Sequence, residues 1–511
     1  MSAKRLVPTI GLEVHLHLAT RTKMFCGCRV EYGAPPNSRV CPVCLGMPGV
    51  LPVMNEKAVE LAVRMALALG CTISALAKWD RKHYYYPDLP KNYQISEYDE
   101  PLGVGGYLEI PVEGGTKRIG ITRVHLEEDA GKLMHAEGGG NFSVVDLNRT
   151  GTPLLEIVSE PDMNSPEEVR AYSTALRQLA VYLGVGECNM QLGQMRFEPN
   201  ISLRIGTGAD GRPRYTPIAE IKNLNSFRST ERAVAFEIAR HKEEYALDPE
   251  GYTLENLGKQ TRGWVDDQEV TFLQRSKEEA HDYRYFPEPD LVPVRPHEPR
   301  GDRASVAEVA KQKMPELPEA KRRRYMQQGM SAEMAEVILR ERGVAESWEK
   351  IVQHIKTQPE AGRWDGKRVM DLAHNWILQD VRRVLNERGI AIEALALDTY
   401  YSEEELAKLI ILVETGVISR SMGSDVFTKM LESGKSASEI VEEENLAQTS
   451  DAGELEAVVD RVIAENPGPA EDYRSGKEKA LGRLIGQAMQ ASSGKANPKI
   501  VRDLLMRKLR P

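Results

Sequence analysis

The stretch Gly11-Leu-Glu-Val-His-Leu-His-Leu18 alternates strictly, with Leu12, Val14, Leu16 and Leu18 at one parity and Glu13, His15 and His17 at the other. Successive side chains of a β-strand point to opposite faces, so this is a strand with one packed face and one polar face. The stretch Thr122-Arg-Val-His-Leu-Glu-Glu-Asp129 repeats the device: Val124 and Leu126 oppose Arg123, His125, Glu127 and Asp129, while Glu128 falls on the apolar parity. Two further runs, Thr152–Ser159 and Thr216–Asn223, place Glu156 and Glu220 inside otherwise apolar strands. Between them, Tyr107–Val112 and Lys117–Val124 flank a Gly-Gly turn and read as a hairpin. The first part of the chain is therefore predicted to be a mainly antiparallel sheet.

Helices intersperse it. Glu56–Leu69 carries apolar residues at helical spacing, and Ser165-Pro-Glu-Glu opens a second run through Leu183 with a capping signature. The fold class is α+β. Prolines crowd Pro287–Pro296 so densely that neither a helix nor a central strand is expected to cross, which places a boundary at residue 295. Beyond it, Ala332–Arg342, Trp348–Ile355, Val369–Arg388, Ser402–Glu414 and Asp425–Glu432 all show the helical period. The expected domains are 1–295, an all-α domain over 296–445, and a small tail over 446–511.

The whole chain has 511 residues, 41% hydrophobic and 28% charged, which suits several packed cores and excludes a single small module. The formal net charge of −9 excludes a uniformly basic nucleic-acid-coating surface. Any such contact must be local; the final segment, with Lys495, Lys499, Arg502, Arg507 and Lys508, is basic, as either a local contact surface or a solvated amphipathic helix would be. No run approaches the roughly 18 apolar residues of a membrane span. Met1–Ile10 enters a strand pattern directly, without the apolar region of a signal peptide, so the expected location is the cytoplasm and no membrane partner is expected.

Four of the six cysteines lie close together as Cys26-Gly-Cys28 and Cys41-Pro-Val-Cys44, separated by a loop rich in Gly and Pro. Two close pairs joined by turns can bring four thiolates into tetrahedral geometry, and four protein ligands make a closed, structural zinc site. The competing reading is four incidental reduced cysteines.

Buried carboxylates are expensive unless paired or metal-bound. Several on separate strands suggest a shared cavity and, with an imidazole, suit Mg²⁺ or Mn²⁺ and hence phosphate chemistry, although buried ion pairs with Arg or Lys remain the alternative. The segment Arg81–Tyr93 interleaves cations with aromatics, as a nucleotide or RNA end requires; Lys82, Tyr86, Lys91 and Asn92 are its candidates for substrate or nucleotide contacts. No Walker-type phosphate loop is present: Gly434-Lys-Ser436 has the end of that motif, but Lys429 stands where its first Gly belongs.

Gly11–His15, Cys41-Pro-Val-Cys-Leu-Gly-Met-Pro-Gly49, His125-Leu-Glu-Glu-Asp-Ala-Gly-Lys132, Asp146–Asp162, Glu220-Ile-Lys-Asn-Leu-Asn-Ser-Phe227, Asp282–Asp290 and Gly482–Pro498 closely resemble the B subunits of the aspartyl/glutamyl-tRNA amidotransferases, over essentially the whole chain. The resemblance implies a first domain like the glutamine synthetase catalytic fold. It implies an ATP- and Mg²⁺-dependent carbon–nitrogen ligase that phosphorylates the side-chain carboxylate of Glu on tRNA(Gln), or of Asp on tRNA(Asn), and displaces phosphate with ammonia. Carried over by motif, His15, Glu127 and Glu156 hold one Mg²⁺, and Glu13, Glu128 and Glu220 complete the acidic site. The helical domain and tail bind tRNA, the tail through residues such as Lys495, Lys499 and Arg502. Ammonia comes from glutamine on an amidase-type A subunit, with a small C subunit completing the trimer. Two other classes stay open: a non-catalytic zinc-containing tRNA-binding scaffold, and a metal-dependent phosphotransferase acting on a free metabolite.

Overall fold

The computed structural model describes residues 6–135, 142–275, 283–447, 452–492 and 496–509. The chain forms two compact units, Met1–Leu317 and Pro318–Pro511.

The first unit is built on one large sheet. Its main path runs through ten strands: β1 (Val7–His17), β2 (Asp80–His83), β3 (Tyr93–Ser96), β4 (Gly115–Glu128), β5 (Pro153–Ser159), β6 (Met195–Thr207), β7 (Ile218–Lys222), β8 (Lys259–Val265), β9 (Val270–Arg275) and β10 (Phe286–Pro287). Their spatial order is β9-β8-β7-β6-β1-β5-β4-β3-β2-β10. The predicted hairpin is present, Tyr107–Val112 pairing with β4 around Glu113-Gly114, where Gly114 takes the positive φ of 83° that the tight turn requires. One pair departs from the antiparallel expectation: β7 and β8 run parallel. Parallel neighbours need a long crossover, and the helix Phe227–Leu247 supplies it.

The sheet has a dry face and a polar face. Leu12, Val14 and Leu16 of β1 are at most 1% exposed and share a core with Val124 and Leu126 of β4, Leu155 and Ile157 of β5, and Phe197, Ile201 and Leu203 of β6. Against that core pack α1 (Glu56–Ala68), capped by the Asn55 side chain, α2 (Pro166–Tyr182), capped by Ser165, and α3 (Phe227–Leu247), capped by Ser226. The helices thus cover one face and leave the other to Glu13, His15, Glu127, Glu156 and their neighbours.

The proline-dense stretch expected to end the domain stays within it. The Glu288 N–H donates to the Trp79 carbonyl, Ala77 and Val294 exchange backbone bonds in both directions, and Phe286–Pro287 pairs with β2. Prolines are tolerated there because this is the sheet's edge, where the missing N–H groups are not needed by a neighbour. A further helix, α4 (Val306–Gln312), buries Val306 and Ala310 in the same core, so the unit extends to Leu317.

The second unit is helical and holds two hydrophobic clusters, one formed from Tyr325 to Val441 around Trp348, Trp376 and Phe427, the other from Leu455 to Leu509. The predicted helix Ala332–Arg342 ends at Ile338, and a new one, Arg342–Thr357, begins. The apolar stripe breaks there because the positions following Leu339 at helical spacing are Arg342 and Gly343. The run predicted over Val369–Arg388 carries a π turn at Ile377–Val381, where buried Asp380 accepts bonds from Ser424 (2.6 Å) and Arg420. Among the described residues, no helix is long and apolar enough to cross a membrane.

Candidate functional site

Register across the sheet assembles the site. Arg196, His15, Glu156 and His125 stand in one row on β6, β1, β5 and β4, because His15 opposes both Arg196 and Glu156, and Glu156 opposes His125. In the next row Glu13 opposes Glu198, and in the row after that Asn200 opposes both Gly11 and Glu220. Side chains directly opposite one another lie about 5 Å apart, so acids and imidazoles scattered over more than 200 positions converge.

Two acidic clusters result. In the first, His15, Glu127 and Glu156 each offer a ligand atom within 4.8 Å of the others. His15 Nε2 is 3.5 Å from Glu156, and His125 Nε2 lies 3.1 Å from Glu156 and 3.3 Å from Glu127. Ser96 Oγ and Gln94 Nε2 donate to the two Glu127 oxygens at 2.7 and 2.9 Å, fixing its carboxylate plane. Burial opposes charge on His125, yet Glu156 and Glu127 push its imidazole up to about 10. Burial likewise works against the Glu156 carboxylate, but His125 and His15 hold it well below the usual carboxylate range. The two carboxylates are therefore ionised and pre-oriented at neutral pH.

In the second cluster, Glu13, Glu198 and Glu220 meet within the same 4.8 Å limit. Thr261 Oγ1 donates to Glu220 at 2.9 Å and Asn200 Nδ2 to Glu13 at 3.0 Å. This cluster already has ammonium partners: Lys222 reaches Glu198 at 2.9 Å, and Lys259 reaches Glu220 at 3.2 Å and Glu13 at 3.7 Å. A cation there competes with two lysines, whereas the first cluster faces imidazoles.

The donor sets fit a hard divalent cation. Carboxylate oxygens with one imidazole suit Mg²⁺, and ligands about 2.1 Å from a centre lie roughly 3–4 Å apart, inside the observed limit. Among the described residues the buried His15 Nδ1 has no hydrogen-bond partner and stands 4.0 Å from Glu198, between the two clusters.

Glu128 is not brought to either cluster. It lies on the opposite parity, bonded by the Lys91 ammonium and accepting from the Ile95 N–H at 3.0 Å. Glu198 stands where the resemblance grouped Glu128 with Glu13 and Glu220. Its signal was in the chain: Met195–Leu203 alternates Phe197, Ile201 and Leu203 with Arg196, Glu198 and Asn200, the same pattern that exposed Glu13. His125, Arg196, Lys222 and Lys259 also belong to the polar face.

Of the nucleotide candidates, Lys82 sits 5.0 Å over the Tyr283 ring. Burial opposes its charge, but Glu127, Tyr285 and Glu156 hold its ammonium above the ordinary lysine range. Lys91 is occupied by Glu128; Tyr86 and Asn92 are exposed, and Asn92 turns the chain in a left-handed conformation. In the tail, Lys499 and Arg502 are exposed one turn apart on the helix Pro498–Leu509, while Arg507 and Lys508 pair with Glu456 and Asp460. Lys495 lies outside the described residues.

The four clustered cysteines also converge, with Cys44 Sγ 3.6, 3.8 and 3.9 Å from those of Cys26, Cys41 and Cys28. Sulfurs about 2.3 Å from a tetrahedral centre are separated by about 3.8 Å, so the arrangement fits zinc. The bond from Cys26 and the Lys23 ammonium at 3.3 Å push the Cys44 thiol well down, as a metal ligand needs. Gly46, at φ 62°, lets the loop pass so close to Lys91 that a Cβ would overlap its side chain.

Residues 8–299 match a family described as the GatB/GatE catalytic domain, and residues 365–509 one described as the GatB domain. The chain is similar to three proteins each described as the B subunit of an aspartyl/glutamyl-tRNA(Asn/Gln) amidotransferase. That of Carboxydothermus hydrogenoformans is 47% identical over 506 residues, covering 98% of both chains. That of Moorella thermoacetica is 47% identical over 502 residues, 98% of this chain and 99% of its own. That of Geotalea daltonii is 46% identical over 507 residues, 98% of both.

Proposed function

The chain belongs to the family of aspartyl/glutamyl-tRNA(Asn/Gln) amidotransferase B subunits, and from that membership we propose that its first unit uses ATP to phosphorylate the side-chain carboxylate of Glu on tRNA(Gln), or of Asp on tRNA(Asn), and then joins ammonia to it. The observation that carries the reading is the meeting of His15, Glu127 and Glu156 on one sheet face.

A carboxylate is a poor acyl donor because its leaving group would be oxide, and phosphorylation supplies a better one. Mg²⁺ held by His15, Glu127 and Glu156 would neutralise charge on the γ-phosphoryl group as it transfers. The protein's own part is placement. His125 keeps Glu127 and Glu156 ionised and aimed, Gln94 and Ser96 lock Glu127, and Lys82 adds positive charge beside them. Glu13, Glu198 and Glu220, balanced by Lys222 and Lys259, give a second acidic pocket suited to a cationic group or a second cation.

Ammonia comes from glutamine hydrolysed on an amidase-type A subunit, with a small C subunit completing a cytoplasmic trimer. The two cysteines outside the cluster are unsuited to that task, since burial pushes the Cys71 and Cys188 thiols up to about 12. The cysteine cluster holds a structural zinc.

Mass analysis of aminoacyl-tRNA tests the reading. After incubation of the assembled complex with ATP, Mg²⁺ and glutamine, Glu on tRNA(Gln) becomes Gln, or Asp on tRNA(Asn) becomes Asn. Unchanged aminoacyl groups with intact tRNA binding would leave a scaffold, and turnover of free glutamate without tRNA would mean a metabolite phosphotransferase.

Lys499 and Arg502 present exposed charge, so the tail is assigned to the tRNA backbone. Deleting residues after Asn445 is expected to raise KM for tRNA about tenfold or more, the effect of losing two or three phosphate contacts, with kcat changed less. An unchanged KM would remove the tail from tRNA binding.

A further inference from the structure

The cations around the two acidic clusters are not equivalent. Lys222 and Lys259 pair with cluster carboxylates, and Arg123 approaches Glu156 at 4.0 Å. Arg196 is tied elsewhere. Its Nη2 forms an ion pair with Asp129 Oδ1 at 3.1 Å, and Asp129 belongs to neither cluster. The other Asp129 oxygen accepts from His17 Nε2 at 2.6 Å and faces Arg149 Nε at 3.4 Å. His17 Nδ1 lies 2.6 Å from the Tyr32 hydroxyl, in the loop between Cys28 and Cys41. Asp129 is 6% exposed and Arg196 31%, so the carboxylate is sunk into the fold while the guanidinium reaches the open polar face.

Arg196 stands opposite His15 in the row that carries Glu156 and His125, within electrostatic reach of Glu198 and Glu127. A guanidinium has five donors in a planar fork, matched to phosphate and carboxylate oxygens. Its anchoring through Asp129 leaves its direction independent of whatever occupies the clusters.

We propose that Arg196 grips the anionic reacting group in the phosphoryl transfer described above, and that Asp129, braced by His17 and Tyr32, is the positioning residue that aims it. The proposal rests on that functional reading. Preorganised donors at a site of developing charge are worth about 10²–10³ in kcat each.

The test is ATP- and aminoacyl-tRNA-dependent phosphate release by the complex purified with its partner subunits, with ammonium chloride as nitrogen donor. Arg196→Gln is expected to lower kcat about 10²-fold while KM for ATP moves less, and Arg196→Lys to recover part of the loss. Asp129→Asn is expected to lower kcat by a smaller factor. The double variant Asp129→Asn, Arg196→Gln should be no slower than Arg196→Gln alone, because one residue acts through the other. Matching melting temperatures exclude a global defect, and Arg196→Lys serves if Arg196→Gln does not fold. Wild-type-like kcat in Arg196→Gln, or losses that multiply in the double variant, would overturn the proposal alone. No release by the unsubstituted complex would overturn the functional reading and the proposal with it.

Discussion

Glu156→Gln is expected to abolish ATP- and tRNA-dependent phosphate release. Among the described residues Glu156 is the one carboxylate that both His15 and His125 approach, from neighbouring strands on either side of β5. An amide keeps its size and one oxygen but loses the charge that a divalent cation requires. Charge neutralisation of a transferring phosphoryl group is worth several kcal/mol, so the rate should fall about 10³-fold or more. Steady-state phosphate release, read beside unchanged tRNA binding, checks this. Full activity would mean that the first cluster is a structural ion network and that the chemistry lies elsewhere.

Metal analysis of the unsubstituted protein is expected to find one zinc ion per chain, and Cys44→Ala to remove it. Cys44 is the most buried of the four cysteines, and its sulfur lies within 4 Å of the other three. The loop it closes contributes few residues to the main core, so a bound metal would supply stability that packing does not. Structural zinc binds isolated peptides with apparent free energies of about 10–16 kcal/mol. Losing even a modest share of that should lower the first unit's unfolding midpoint on the order of 10 °C. Calorimetry of the variant and of chelator-treated protein measures the shift. A metal-free protein with the same midpoint would return the cysteines to incidental thiols.

Alternation made much of this legible in the chain. A period of two assigns a face to each residue without reference to any partner strand, which is why Glu13, His15 and Glu127 could be grouped from their own segments. The same rule set Glu128 apart, and its pairing with Lys91 accords with that parity. Applied to Met195–Leu203, it would have found Glu198 as well. Register was not legible. That His15 stands opposite Glu156, or that Lys259 reaches Glu13, depends on how distant strands slide against one another. The parallel β7–β8 pair was hidden for the same reason, since neither strand records its neighbour's direction. The prolines of 287–296 misled differently: proline density marks the lack of donors, and a sheet edge tolerates that as well as a linker does.

The spacing of the two acidic clusters follows from β1 itself. Glu13 and His15 are alternate residues of one strand, and such residues repeat about every 6.8 Å. Paired ions that share a bridging oxygen stand only about 4 Å apart. Two cations seated on this strand would be too distant for that embrace, and would instead bracket a group as wide as a phosphate. The pleat of a single strand is thus a ruler, and the length it marks off is about what one phosphate group would need between two cations.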